Sequence, residues 1–402
     1  MVEAVAQQRV MPQGRRSWPY LADRFRIRHQ LSLRTLQVAL GVMWLVDGAL
    51  QFQPYMYQRG TDGFLGPVTA GTMGRPNLFT DFIGTMVTFM AGHQVLATTV
   101  IGVVQVLLGV GLLWRRTVRP ALALSVFWAL GVWVVGEGAG LMIFPQASML
   151  TGAPGAALVY GLLALVLWPN PAGVAVRRAS LVGVAETVGG AETVGGAETV
   201  GGAETVGVAE TVGGAETVGG AETVRGAETV RGAETVGEGL LAVADEGLLG
   251  GFGTRLAWAL IWCGAAALEL ERSNFAPNAI SAQLANSAIG EPAPLAWLDR
   301  SLAHLASGLG TDLALVLLVI QFAVGWGVLR TFSRSFAIRM GIVVSVIFWV
   351  VGQNLGTVLT GQGTDPSLGL PMVLLALALL PRAHECRATA RRPIGGNMAE
   401  DF

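Results

Sequence analysis

Nine side chains in this 402-residue chain have the chemistry and the placement to form a site: Asp47, Gln105, Trp133, Glu137, Glu269, Gln321, Trp349, Gln353 and Asn354. Each falls inside, or at the end of, a long apolar stretch. Carboxyls in such places can exchange protons, amides can hydrogen-bond a ligand or a neighbouring helix, and Trp can wall a pocket. Glu137 stands four residues after Trp133 and three before Gly140, and Gln353 has the same relation to Trp349 and Gly356. Residues i and i+4 share a helix face, so each set presents a ring and a polar group together. Gln105 and Gln321 each precede a glycine, Gly109 and Gly325, by four residues.

A charge in a bilayer costs at least roughly 2.5–3.5 kcal/mol and normally faces the protein interior. No Arg lies at the depth of these acids, so they must be protonated, hydrogen-bonded to the Gln and Asn amides, or wetted from outside. The competing reading leaves Asp47, Glu137 and Glu269 in the headgroup region and makes Gln105 and Gln321 interhelical hydrogen bonds.

Other chemistries lack their residues. Cys263 and Cys386 form no C-x-x-C pair, which argues against a dithiol–disulfide relay. Of His29, His93, His304 and His384 only His93 touches an apolar stretch, at its end, so the pair of facing histidines that a membrane haem needs is missing. No metal-ligand spacing, phosphate loop or dinucleotide fingerprint occurs, and no residue is nominated as catalytic.

The elements that must hold these residues follow from composition. Hydrophobic residues make up 52% of the chain and charged ones 13%. A soluble domain carries about 25% charge, so this is a membrane protein with the lipid bilayer as its partner. A net charge of −1 argues against nucleic acid. All 26 basic residues are Arg, which reads as high-GC, bacterial codon usage. Eight apolar stretches, at about 33–52, 93–114, 119–140, 152–169, 252–271, 310–329, 336–358 and 364–380, are of the length needed to cross a ~30 Å hydrocarbon core. Between them, Arg34, Arg115, Arg116, Arg119, Arg177, Arg178, Arg255, Arg330, Arg334, Arg339 and Arg382 all fall on one side, against Arg59, Arg75, Arg272 and Arg300 on the other. The positive-inside rule then puts both termini in the cytoplasm of a bacterial plasma membrane. Nothing at the N-terminus has the form of a cleaved signal, its first 30 residues being polar and Arg-rich.

The halves repeat. Aligning Gln105 with Gln321 runs without gaps to Gly140 and Gly356, pairing Gly109 with Gly325, Gly111 with Gly327, and Trp133–Gly136 with Trp349–Gly352. Pro154 then pairs with Pro366, and Ala49–Gln53 echoes Ala267–Glu271. Four spans per half is an even number, so the repeat is parallel, about an axis along the membrane normal. The expected fold is all-α: two parallel-repeat four-helix bundles, eight transmembrane helices in total, with a disordered repetitive linker. Its parts are a tail (1–32), a first unit (33–170), a cytoplasmic linker (171–250), a second unit (251–381) and a second tail (382–402). Each unit carries an external segment, 53–92 and 272–309, with helical apolar spacing. The stripe is Phe79, Phe82, Ile83, Met86, Val87 and Met90 in one, and Leu295, Leu298, Leu302 and Leu305 in the other. Two readings stand for each: a lid over a site, or plain packing. Residues 183–236 are nine tandem hexapeptides, mostly Gly-Gly-Ala-Glu-Thr-Val, with Val208, Arg225 and Arg231 among the variants. One apolar residue in six cannot build a core, so a flexible acidic tether is one reading; hexapeptide periodicity makes a parallel β-helix the other.

An Arg-led first helix with an acid near its end, a Gly-rich second helix after an external segment, and Gly136-Glu137-Gly138 or Gly352-Gln353-Asn354 closing the third resemble the DoxX/DoxD-like membrane family. The resemblance covers each half and implies a redox-associated membrane subunit with a redox protein as partner. Quinone is the cofactor or ligand such a subunit would hold among its helices. The alternative is a non-catalytic scaffold or a transporter-like binding protein. Convergence of the polar residues on one cavity would distinguish the two.

Overall fold

The computed structural model describes residues 31–58, 63–66, 78–140, 142, 146–171 and 242–381. Both tails and the hexapeptides, to which the tether and β-helix readings apply, lie outside the described residues. Among those described the chain is all-helical, the one β-contact being an isolated bridge between Pro169 and Gly247. The helices are α1 (Leu33–Leu50), α2 (Leu78–Gly92), α3 (Gln94–Leu113), α4 (Val118–Gly131), α5 (Ala156–Val166), α6 (Gly250–Leu268), α7 (Ala279–Ser287), α8 (Ala293–Ala306), α9 (Gly310–Gly327), α10 (Arg334–Val350) and α11 (Gly369–Leu379).

Six stretches are long and apolar enough to cross a membrane: α1, α3, Val118–Gly136, α6, α9 and Arg334–Thr360. The other two apolar helices, α5 and α11, have 11 residues each. At 1.5 Å per residue they reach only about half of a ~30 Å core. The sequence-based stretches 152–169 and 364–380 are therefore only partly helical. The cause is local: Gly152 (φ 107°) and Gly155 (φ 103°) flank Pro154 in one connector, and Ser367 (φ 61°) follows Pro366 in the other. Backbone of this kind is tolerated in apolar surroundings only where protein covers it. Both short helices sit at the centre, with Val159, Leu163, Ala164, Met372, Leu375 and Ala376 fully buried. They pack on each other, and α11 also reaches α1 and α6, so the two halves meet here.

Within each half the first long helix packs on the second, α1 on α3 and α6 on α9. Glycines set the approach. A Cβ at Gly109 would lie 2.7 Å from the Gly41 carbonyl, and one at Gly325 would lie 2.7 Å from Cys263 Sγ. Small residues let helices come this close, so that packing holds them where lipid gives no hydrophobic drive. Arg34 at the start of α1 donates to the carbonyls of Leu112 (2.7 Å) and Leu113, which end α3. A cation there satisfies carbonyls that the helix leaves unpaired and suits the negative end of its dipole.

Aligned residues of the two halves make the same contacts. Thr117 donates to Gly111 O (2.7 Å) as Ser333 does to Gly327 O (2.9 Å), and Trp133 Nε1 to Pro154 O as Trp349 Nε1 to Pro366 O, both 2.7 Å. The external segments differ from their expected stripes. In α2, Ile83 and Val87 are buried but Phe82 faces outward. In α8 the buried face is Ala296, Asp299, Ala303 and Ala306, while Leu305 is exposed. Alanine lets α8 lie close against α7, which the leucines would prevent.

Close approach gives a direct test. A Cβ at Gly48 would fall 2.8 Å from the Val106 backbone nitrogen, whereas at Gly264 of α6 nothing lies within 4 Å. Gly48→Ala should cost about 1–3 kcal/mol through overpacking. Gly264→Ala should be neutral or stabilise by up to about 1 kcal/mol through helix propensity. Thermal unfolding of the two variants in detergent checks the order.

Candidate ligand site

A cavity of about 440 Å³ lies in the first half, bounded by α1, α3, α4, α5, the external segment and the connector that precedes α11. That volume is within the usual ~300–1,000 Å³ range for small-molecule sites. Three of the nine sequence-selected residues line it: Asp47, Gln105 and Glu137.

Each is set by its helix. Asp47 is 3% exposed and accepts a hydrogen bond from the Tyr160 hydroxyl of α5 at 3.1 Å. Trp44, Asp47 and Gln51 follow at i, i+3 and i+7 on one face of α1, and all three line the cavity. Gln105, on α3, is 4% exposed, and its Oε1 has no hydrogen-bond partner. Glu137 follows a π turn, Val132–Gly136, in which its amide reaches back five residues to Val132 O (2.9 Å). Such turns recur at functional sites because they re-aim a side chain. Glu137 Oε1 accepts from the Ala157 amide at the start of α5 (3.0 Å), while its Oε2 has no partner. A side chain at Gly155 would come within 2.2 Å of that Oε2, so the glycine makes the room.

The fourth wall comes from the other half. Asp365, in the connector before α11, lines the same cavity and accepts from Ser367 N (2.7 Å) and the Thr364 hydroxyl (2.8 Å). Gln51 Nε2 donates to Thr364 O at 3.2 Å and Gln53 Nε2 to Gly363 O at 3.1 Å, which fasten this connector over the first half. Asp47, Glu137 and Asp365 stand close enough to repel one another, and no Arg or His is among the lining residues. No three His, Cys, Asp or Glu side chains among the described residues come together as a metal site. Trp44 and Trp128 also line the cavity, and the indole N–H of each lacks an acceptor. Phe127, in the lining, is 74% exposed, so the cavity opens on the flank of the bundle. Burial raises the pKa of Tyr55, just beyond α1, which keeps that phenol protonated through neutral pH. No family model, curated protein or solved structure matches the chain.

The other six selected residues are elsewhere. Trp133 and Trp349 anchor the two connectors through Pro154 and Pro366 and do not line the cavity. Glu269 is 1% exposed, and its Oε1 accepts from the Ser148 hydroxyl (2.6 Å) and from Gln321 Nε2 (3.1 Å). Asp47 and Glu269 are thus enclosed by protein, against the headgroup reading. Gln353 Oε1 accepts from Gly369 N (2.9 Å), the counterpart of Glu137 with Ala157, but its Nε2 donates to Met149 O (2.8 Å) of the first connector. Asn354, with φ 46°, donates to Ser287 O. The two halves therefore use the same position differently. Met149 and Leu150 bury themselves in the second half, while the opposite connector brings Gly361 and Gly363, which have no side chain, to the first.

Glu137→Gln keeps the bond from Ala157 and removes one of three neighbouring acids, so its thermal stability should equal or exceed that of the parent. Glu137→Ala leaves the Ala157 amide unpaired and should lose roughly 1–3 kcal/mol. Melting curves at neutral pH with the reverse order would contradict this account of the carboxyl.

Proposed function

We propose that the chain is a multi-pass protein of the bacterial plasma membrane, and that its first half holds a small, largely apolar ligand in the cavity beside Asp47, Glu137 and Asp365. The observation that carries this reading is the convergence of three carboxyls, Gln105 and the indoles of Trp44 and Trp128 on the lining of one space, with no cation among its described lining residues. The carboxyls would exchange protons with the ligand or with solvent. A quinone is the ligand that the DoxX/DoxD-like resemblance implies; the apolar and aromatic lining suits its ring. On this reading the chain is a redox-associated subunit working beside a redox protein.

We take the architecture to be a duplicated four-helix unit crossing the membrane eight times, with α5 and α11 each completing a crossing together with its connector. Recurrence of the Thr117/Ser333, Trp133/Trp349 and Glu137/Gln353 contacts supports the duplication. The second half serves as scaffold, because its Glu269, Gln321 and Gln353 are engaged in hydrogen bonds with each other and with the first connector.

Two measurements test this. Gly131 lines the cavity, and its missing Cβ would meet nothing within 4 Å. Gly131→Phe should fill the space without unfolding the protein. Native mass spectrometry from a non-ionic detergent should find a small molecule retained by the parent and absent from Gly131→Phe. Equal retention by both, or none by the parent, would sink the ligand reading. For topology, cysteine introduced at Thr61 or Asn286, with Cys263 and Cys386 replaced, should label from outside intact cells, and cysteine at Thr205 should not.

A further inference from the structure

We infer that the cavity of the first half takes an organic cation, an amine or quaternary ammonium carried on an apolar body. The inference rests on the reading that the cavity of the first half holds a small ligand, and puts a cation there in place of a neutral quinone.

Charge balance is the first argument. Asp47, Glu137 and Asp365 approach from α1, from the end of α4 and from the second half's connector, and they sense one another electrostatically. The other titratable groups facing the space are the phenols Tyr55 and Tyr160. Among the described residues nothing positive lines it. Ionising one carboxyl in such a place requires a counter-charge, since an unpaired buried charge is far costlier than a paired one. A neutral ligand brings none. A cation does, and the exchange balances: the ligand enters, one carboxyl loses its proton to solvent, and the complex keeps the net charge of the empty site.

The lining is the second argument. Trp44, Trp128 and Tyr160 border the carboxyls. Aromatic faces attract cations through the ring quadrupole, and recognition of quaternary ammonium groups commonly uses them. Gln105 and Glu137 add polar side chains to the same lining. The volume of about 440 Å³ has room for an aromatic ring with its ammonium, far more than a bare metal ion occupies.

The test compares benzyltrimethylammonium with neopentylbenzene, which has the same shape with carbon in place of charged nitrogen. Binding to the full chain in dodecyl maltoside is read by native mass spectrometry, with Gly131→Phe as the blank. The cation should bind at least about tenfold more tightly than its isostere. Its affinity should rise between pH 6 and pH 8, because a proton leaves on binding. Asp365→Asn should reduce the cation's affinity about tenfold and leave neopentylbenzene unaffected. If Asp365→Asn fails to fold, Glu137→Gln, which keeps the Ala157 bond, replaces it with the same expectation. Equal affinities, a preference for neopentylbenzene, no binding of the cation, or a pH-independent affinity would each overturn the inference. If the isostere alone binds and Gly131→Phe abolishes that binding, the ligand reading stands without the charge. Binding of both probes by Gly131→Phe as well as by the parent would remove the cavity itself.

Discussion

Backbone that leaves a helix among apolar neighbours has to find its hydrogen bonds in protein, and most of this structure follows from that requirement. Each half breaks its path before the last helix, at Pro154 and at Pro366. Each break is held by an indole N–H on the proline carbonyl and by a side-chain oxygen, from Glu137 or Gln353, on an amide at the start of α5 or α11. The remaining partners come from the opposite half: Ser148 on Glu269, Met149 on Gln353, Thr364 on Gln51, Gly363 on Gln53. Each connector is completed by the half it does not belong to. The halves are consequently interlocked through their polar segments as well as packed through α5 and α11.

The same requirement explains what could be read from the chain. Long apolar helices were legible because their composition has few rivals, and the glycines that set α1 on α3 stand at visible seven-residue intervals, Gly41 with Gly48 and Gly102 with Gly109. The polar residues were also legible as a set, but their grouping was not. Asp365 reaches Asp47 across more than three hundred residues of sequence, and nothing local announces that meeting. Trp133 and Glu137 both stand beside Gly155, as their spacing predicts, but only Glu137 lines the cavity while Trp133 serves the connector. Trp44 and Gln51 carried a signal, their i−3 and i+4 spacing from Asp47, that could have placed them beside it. Of the Leu stripe of α8, Leu302 packs against the core while Leu305 is exposed, and the buried face is offset to Ala296, Asp299, Ala303 and Ala306.

A single difference between matched positions gives Glu137 and Gln353 different partners. Gln353 has both a donor and an acceptor and uses both, so its surroundings close. Glu137, in the matching place, satisfies one oxygen and leaves the other. Buried polar groups left unpaired are costly, and native proteins keep them where something else is gained. Met149 and Leu150 stand beside Gln353, while Gly361 and Gly363 reach the first half, so the matched positions have different neighbours.

The bridge between Pro169 and Gly247, with the Asn170 amide on Glu246 O at 3.0 Å, holds the chain together on either side of the hexapeptide tract. The described residues that border the tract therefore stand side by side. Loop-closure entropy grows only with the logarithm of length, about 0.6 kcal/mol per doubling. On the flexible-tether reading, gain or loss of whole hexapeptides by slippage during DNA replication keeps the reading frame and hardly changes the folding free energy. On that reading selection on the bundle is blind to repeat number, and the tract is free to vary in length while the helices stay the same.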